Sequence, residues 1–264
     1  TVTTPAVLSI AGHYTNNGTT TWSGEAIFSG ASAQTLSGNL VNSSRFIATT
    51  TFIGAGPKTF LNNASTTNFD IQTGATVVAP ASLSISGNYT NSGTFAAGSG
   101  TTTLNGTSAQ TATGTMTGTS AFNNLEVTNS SATTFGAALT VGGHFKATTP
   151  LSIFHFVSGG TTTLNTANIT GTAGNTIKLR STTDGTQFNF DINGAYTISH
   201  VDVKDSNACP TTASVTFTNG TDSGNNTCWT FPVSLLLSGT LYSDEGTTPI
   251  TSGKTIAIAI GTST

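Results

Sequence analysis

The sequence predicts an all-β chain built as a single-stranded parallel β-solenoid, a β-helix with coils of about 19 residues. Three observations carry this. The segment Leu8-Ser-Ile-Ala-Gly-His-Tyr-Thr-Asn-Asn-Gly18 returns as Leu83-Ser-Ile-Ser-Gly-Asn-Tyr-Thr-Asn-Ser-Gly93, at an offset of 75. A weaker copy, Leu139-Thr-Val-Gly-Gly-His-Phe145, follows after a further 56. The two offsets differ by 19, which reads as four coils against three. A globular domain does not survive loss of a quarter of its length, whereas a solenoid tolerates loss of a coil because each coil packs only on its neighbours.

The individual elements read as short strands broken by polar turns. Leu8-Ser-Ile10, Leu83-Ser-Ile85, Leu125-Glu-Val127 and Val201-Asp-Val203 alternate apolar and polar residues, the period of a strand with one buried face. Asn17-Gly18, Ser92-Gly93, Asn105-Gly106 and Asn193-Gly194 supply turns, because Gly and Asn accept positive φ. The repeat extends further: Val2-Thr-Thr-Pro5 matches Val77-Val-Ala-Pro80, and Ala33-Gln34 matches Ala109-Gln110. Gly100-Thr-Thr-Thr-Leu-Asn105 returns at Gly160 to Asn165. The similarity runs to about Phe231, which places the solenoid at residues 1–232. Beyond Pro232 the character changes, and Ser234 to Ile250 and Lys254 to Ile260 carry hairpin signals. Residues 233–264 therefore read as a short β-sandwich-like segment, the first strands of a second β domain that is incomplete or completed by a partner. Thr255, Ile256, Ile258 and Ile260 are its candidate assembly strand.

Composition agrees with stacking. Only 6% of the 264 residues are charged, against about 25% in ordinary domains. Like charges stacked at a spacing of about 4.8 Å would repel, whereas stacked Thr and Asn form hydrogen-bonded ladders. Helix formers are scarce and Thr exceeds a fifth of the chain, so long helices are not expected. Net charge is −3 with no basic patch, which argues against nucleic-acid binding. No apolar run approaches the roughly 20 residues of a membrane-spanning helix. The chain opens on Thr1 with no signal peptide, which reads as a processed protein or a fragment.

Cys209 and Cys228 stand at a separation of 19, one coil of the expected size. Adjacent coils lie about 4.8 Å apart, inside the roughly 4.4–6.8 Å Cα window of a disulfide. The alternatives are a bridge, which implies an oxidising, extracytoplasmic setting, and two buried thiols.

Ser199-His-Val-Asp-Val-Lys-Asp-Ser-Asn-Ala208, followed by Thr221-Asp-Ser-Gly-Asn-Asn-Thr-Cys-Trp-Thr-Phe231, resembles the closing coil of large, repeat-rich bacterial surface proteins. Leu237 to Ile250 is similar to the opening of a small β-sandwich module in the same proteins, and the Gly87 to Phe95 phrase resembles adhesin-like β-solenoids. The resemblance implies a right-handed parallel β-helix and a cell-surface or extracellular location. It transfers no catalytic residues, and it does not support the disulfide, since the family pattern often has another residue at the position of Cys228.

Candidate chemistry is sparse among ten acidic residues. Asp184, Asp191, Asp202 and Asp205, near Lys178, Arg180 and Lys204, form the densest charged set. Two carboxylates about 5–9 Å apart would be needed for glycoside hydrolysis, and a solvated charged face explains the same residues. Asp202, Asp205 and Asp222 are a weak Ca²⁺ candidate without a calcium-binding repeat or EF-hand loop, and Asx turns explain them equally. His13 and His144 occupy a repeat position filled by Asn88 in the middle copy, which reads as a surface ladder. Thr101 to Thr103 and Thr161 to Thr163 are runs rather than the strict ranks of an ice-binding face. No catalytic residue or cofactor is expected. The expected role is a non-enzymatic stiff spacer or fibre element, with neighbouring domains or identical subunits as partners. The alternatives are a self-assembling filament subunit joined by the C-terminal strands and a carbohydrate-binding β-helix that takes glycans.

Overall fold

A computed structural model describes residues 1–209 and 214–231, so the segment 233–264, with Thr255, Ile256, Ile258 and Ile260, lies outside the described residues. The described chain is a parallel β-solenoid of about ten turns, and two short 3-10 turns, Asn42–Ser44 and Gly118–Ser120, are its helical content. Every paired strand runs parallel to its neighbour. Each turn visits three faces in a fixed order. One face carries Val7–Ile10, Glu25–Phe28, Tyr89–Asn91, Gln110–Gly114, Ala132–Phe135, Ile153–Phe156, Ile177–Ser181, Val201–Val203 and Thr221–Asp222. The second carries Tyr14–Asn16, Gln34–Gly38, Lys58–Phe60, Thr76–Val78 and Thr94–Ala96, and later Phe188–Ile192 and Ser206–Asn207. The third carries Val2–Thr3, Thr20–Thr21, Ser82–Ile85, Thr101–Leu104, Asn124–Val127 and Tyr196–Ser199. The longer strands, such as Ala64–Ile71 and Leu139–Ala147, bend from one face to the next.

The inward residues are those the alternation selects. Strands such as Ser82–Ile85, Asn124–Val127 and Phe188–Ile192 bury every second side chain. The buried residues form one continuous core running from Trp22 to Trp229. Rings follow one another along its axis: Phe28 stacks on Phe52 at 5.7 Å, Phe52 meets Phe69 tilted at 4.8 Å, and Phe69 stacks on Tyr89 at 6.0 Å with planes 5° apart. Such pairs add about 0.5–1.5 kcal/mol each beyond the area they bury.

The coil is longer than the offsets predict, averaging near 22 residues. The predicted spacing does occur, from Ala64 to Leu83 and from Leu83 to Thr102. Two excursions lengthen other turns. Leu40 and Phe46 pair with Ala64 and Thr66, so six steps of chain face two, and Asn42–Ser44 loops out between them. Met116 and Phe122 do the same opposite Leu139 and Val141. Corner loops stretch a later turn further still, the one that runs from Ala167 to its partner Tyr196.

The repeat offsets acquire a different meaning. Leu8 stacks through Ala26 and Thr50 to Phe69, three full turns, and the chain crosses two more faces before Leu83. Leu8 lies on the first face and Leu83 on the third, so the first offset spans three and two-thirds turns. From Leu83, two turns lead through Thr102 to Leu125, and two more faces lead to Leu139, so the second offset spans two and two-thirds. The offsets do differ by one turn, but the copies sit on different faces.

Candidate functional site

Most of the charged residues singled out from sequence gather on the later turns, on the first face or in the corners beside it. Val201 and Val203 are buried and turn Asp202 outward between them. Parallel pairing sets Asp202 beside Lys178 on one side and Thr221 on the other. Its carboxylate is fully engaged: Arg180 Nη2 donates to Oδ2 at 2.6 Å and Ser223 Oγ donates to Oδ1 at 2.6 Å. Arg180 Nη1 also donates to the Asp202 carbonyl at 2.6 Å. Lys204 forms an ion pair with Asp184, which holds the Asp184 carboxyl below the usual carboxylate range. That direction is opposite to what a general acid needs.

Asp205 is buried and left-handed, with φ 58°. Its oxygens accept from Gly185 N–H at 3.1 Å and Asn225 Nδ2 at 2.7 Å. Asp222 Oδ1 accepts from Gly224 N–H at 2.9 Å and Asn226 Nδ2 at 2.6 Å, as an Asx turn does. Asp191 lies on the second face, in the strand Phe188–Ile192. Among the described residues no group of three or more His, Cys, Asp or Glu is arranged to hold a metal ion. The carboxylates of Asp202 and Asp205 work as staples from one coil to the next.

Cys209 and Cys228 form a disulfide with Cα atoms 5.0 Å apart. The repeat position of His13, Asn88 and His144 is a rung of side chains accepting from or bonding to the next coil. His13 Nδ1 accepts from Thr35 N–H at 3.0 Å, Asn88 Oδ1 from Thr111 N–H at 2.9 Å, and His144 Nδ1 meets Thr166 Oγ1 at 2.8 Å. Two shallow depressions of about 250 and 280 Å³ meet at His144. One contains the Glu126–Lys146 ion pair, 2.7 Å, and the other is bordered by Asn168 and Tyr196.

Several internal clamps escape a search for charged clusters. Gln34 is buried on the second face, its Oε1 accepting from Gly30 N–H and its Nε2 donating to Ile10 O and Gly12 O. Gln110, its repeat equivalent, makes the same three bonds to Gly106, Ile85 and Gly87. Lys58 stacks on Gln34 and is fully buried without a carboxylate partner. Its Nζ donates to the carbonyls of Gly30, Gly54 and Gly56 at 3.0, 2.7 and 2.6 Å, and burial pushes its pKa down. The Gln pair is visible in the repeat, but the Lys58 cage is not, since its acceptors are backbone atoms. No helix among the described residues is long and apolar enough to cross a membrane. No family model, curated protein or solved structure matches this chain.

Proposed function

We propose that this chain is a non-enzymatic structural segment of a secreted or surface-anchored protein, acting as a stiff spacer that links or displays other domains. The observation that supports it most directly is the use made of polar groups. The Asp202 and Asp205 carboxylates tie one coil to another, and the buried Gln side chains and Lys58 each reach the preceding coil while also fixing their own corner. The continuous aromatic core adds rigidity along the axis. The Cys209–Cys228 disulfide suits an oxidising compartment outside the cytoplasm. Force spectroscopy on the chain held by its two ends tests the spacer role. A stiff element resists and then yields in coil-sized steps, whereas smooth low-force extension would sink the reading.

A second reading, glycan binding, is favoured by the paired depressions at His144, where an aromatic ring and amide groups border a groove. It predicts glycan-array signals lost on Tyr196→Ala, and a silent array removes it.

A further inference from the structure

Two excursions of the same shape carry different side chains. Asn42–Ser44 and Gly118–Ser120 are followed by Arg45 and Ala121, whose backbones agree closely, at φ −62°, ψ 152° and φ −61°, ψ 141°. Each corner closes on the same bond: Arg45 N–H donates to Asn42 O at 3.3 Å, and Ala121 N–H to Gly118 O at 3.2 Å. Alanine therefore suffices to build the corner, and the backbone gives no reason for a cation there.

Arg45 borders a depression of about 340 Å³ with Asn42, Ser65, Ser84, Ser86 and Asn105. The stacking of rungs assembles it. Arg45 comes just before Phe46, whose partner is Thr66, and Ser65 pairs with Ser84 in the next coil. Buried Ala64 and Thr66, and buried Leu83 and Ile85, flank the two serines and turn them outward. Ser86 and Asn105 close the depression just past the strands Ser82–Ile85 and Thr101–Leu104.

The polar groups here are uncommitted. No carboxylate lines the depression, and Arg45 takes no part in the three ion pairs of the described residues. Its one side-chain hydrogen bond to another described residue, from Nη1 to Asn42 O, is long at 3.5 Å. The side chains of Asn42, Ser65, Ser84 and Asn105 make no hydrogen bond to another described residue. Outward rungs elsewhere do bond from coil to coil, Ser9 with Ser29 at 3.0 Å and Thr15 with Ser37 at 2.9 Å. One cation beside free hydroxyl and amide groups suits an anion that itself carries hydroxyls. A guanidinium meets a carboxylate through two parallel N–H···O bonds, whereas a phosphate dianion would find a single positive charge. The volume lies at the small end of ligand pockets, about 300–1,000 Å³, which suits one sugar ring.

We propose that this depression binds an acidic sugar residue, with the Arg45 guanidinium on its carboxylate and Ser65, Ser84, Asn42 and Asn105 on its hydroxyls. The site shares no residue with the depressions at His144, so it stands or falls separately from glycan binding there. It also goes beyond the spacer role.

The test is titration of the full, isotope-labelled chain with a glucuronate trisaccharide and, separately, with the same trisaccharide methyl-esterified, read by amide chemical shifts. The acid should move the amides of residues 42, 45, 65, 84 and 105, and the neutral ester should not. Arg45→Ala should weaken binding at least tenfold and Arg45→Lys several-fold, both with the unfolding midpoint unchanged. Tyr196→Ala, in the other depression, should leave the affinity as it is. The ester comparison needs no variant, so it decides even where a substitution disturbs folding. Equal binding of acid and ester, shifts confined to other residues, or no response to the acid overturns the proposal. So does acetate or inorganic phosphate binding as tightly as the trisaccharide, which would make this a site for simple anions.

Discussion

His155 shows how a single outward residue on a stacked face couples to its neighbours. It sits between Thr134 and Arg180 on adjacent rungs. Burial, and then the Arg180 charge, push its pKa below the ordinary 6.5. Between the lowered folded value and 6.5 the unfolded chain binds more protons, so stability rises with pH across that window and is flat above it. His155→Gln should flatten the acid side of a stability-against-pH profile measured by urea unfolding, with no change at pH 8. An unaltered slope below 6.5 would show that another group sets it. Lys58 makes a second prediction at this scale. Lys58→Met keeps the apolar stem but orphans the carbonyls of Gly30, Gly54 and Gly56, and should cost about 2–4 kcal/mol. Lys58→Gln should cost less, because Gln34 fills the same stacked position with the same kind of carbonyl bonds. Equal losses in both variants would mean that the charge, rather than the donors, matters there.

The two 3-10 excursions are among the elements that lengthen the coil. Ser44 and Ser120 are buried in them, and each hydroxyl oxygen accepts a backbone N–H from the preceding coil: Thr20 N at 3.1 Å and Phe95 N at 3.1 Å. Just upstream, Gly38 and Gly114 adopt φ 88° and 85° against Asn16 and Asn91, where a Cβ would lie 2.2 and 2.0 Å from the facing carbonyl oxygen. Ser120→Ala should therefore cost about 1–2 kcal/mol by denaturant unfolding, and Gly114→Ala more, because it meets both strain and a backbone clash. At the other end the disulfide closes a sequence separation of 19, which chain entropy values at about 3 kcal/mol. Cys209→Ser/Cys228→Ser should raise hydrogen exchange in Val215–Thr216 and Trp229–Thr230 far more than in Leu139–Ala147; a uniform rise would mean that the disulfide braces the whole stack. Strand positions and their inward residues were legible from period-two alternation, and Leu83, Ile85, Leu125 and Val127 are all buried. The coil length was not, because a 3-10 excursion such as Gly118–Ser120 adds residues without altering the alternation on either side. The charged set was legible as a cluster, but its use was not: that Asp202 serves Arg180 and Ser223 depends on which rungs stack.

At the scale of the whole solenoid, copies displaced by three and two-thirds turns place the same motif on different faces. Gln34 clamps the second face and Gln110 the first, with the same three bonds. The faces are thus interchangeable to the local sequence, and what the fold requires is that each rung meets another rung in register. A stack of this kind should accept removal of a whole turn and reject removal of half. Deleting residues 83–101 takes out one full turn, and Ser82, the partner of Thr101, then leads directly into Thr102. Ala64 and Thr66, which now pair with Leu83 and Ile85, would meet Thr102 and Leu104 instead. Gln110 Nε2 would find the carbonyls of Thr66 and Thr67, which at present accept from Ser86 and Gly87. The shortened chain should keep its β-type circular dichroism and a cooperative transition, and its solenoid should lose about 4.8 Å of length in small-angle scattering. Deleting residues 83–92 removes about half as much sequence but shifts every later strand off its face, and should leave a chain without a sharp transition. If the smaller deletion were the better tolerated of the two, stacking register would not be what holds this molecule together.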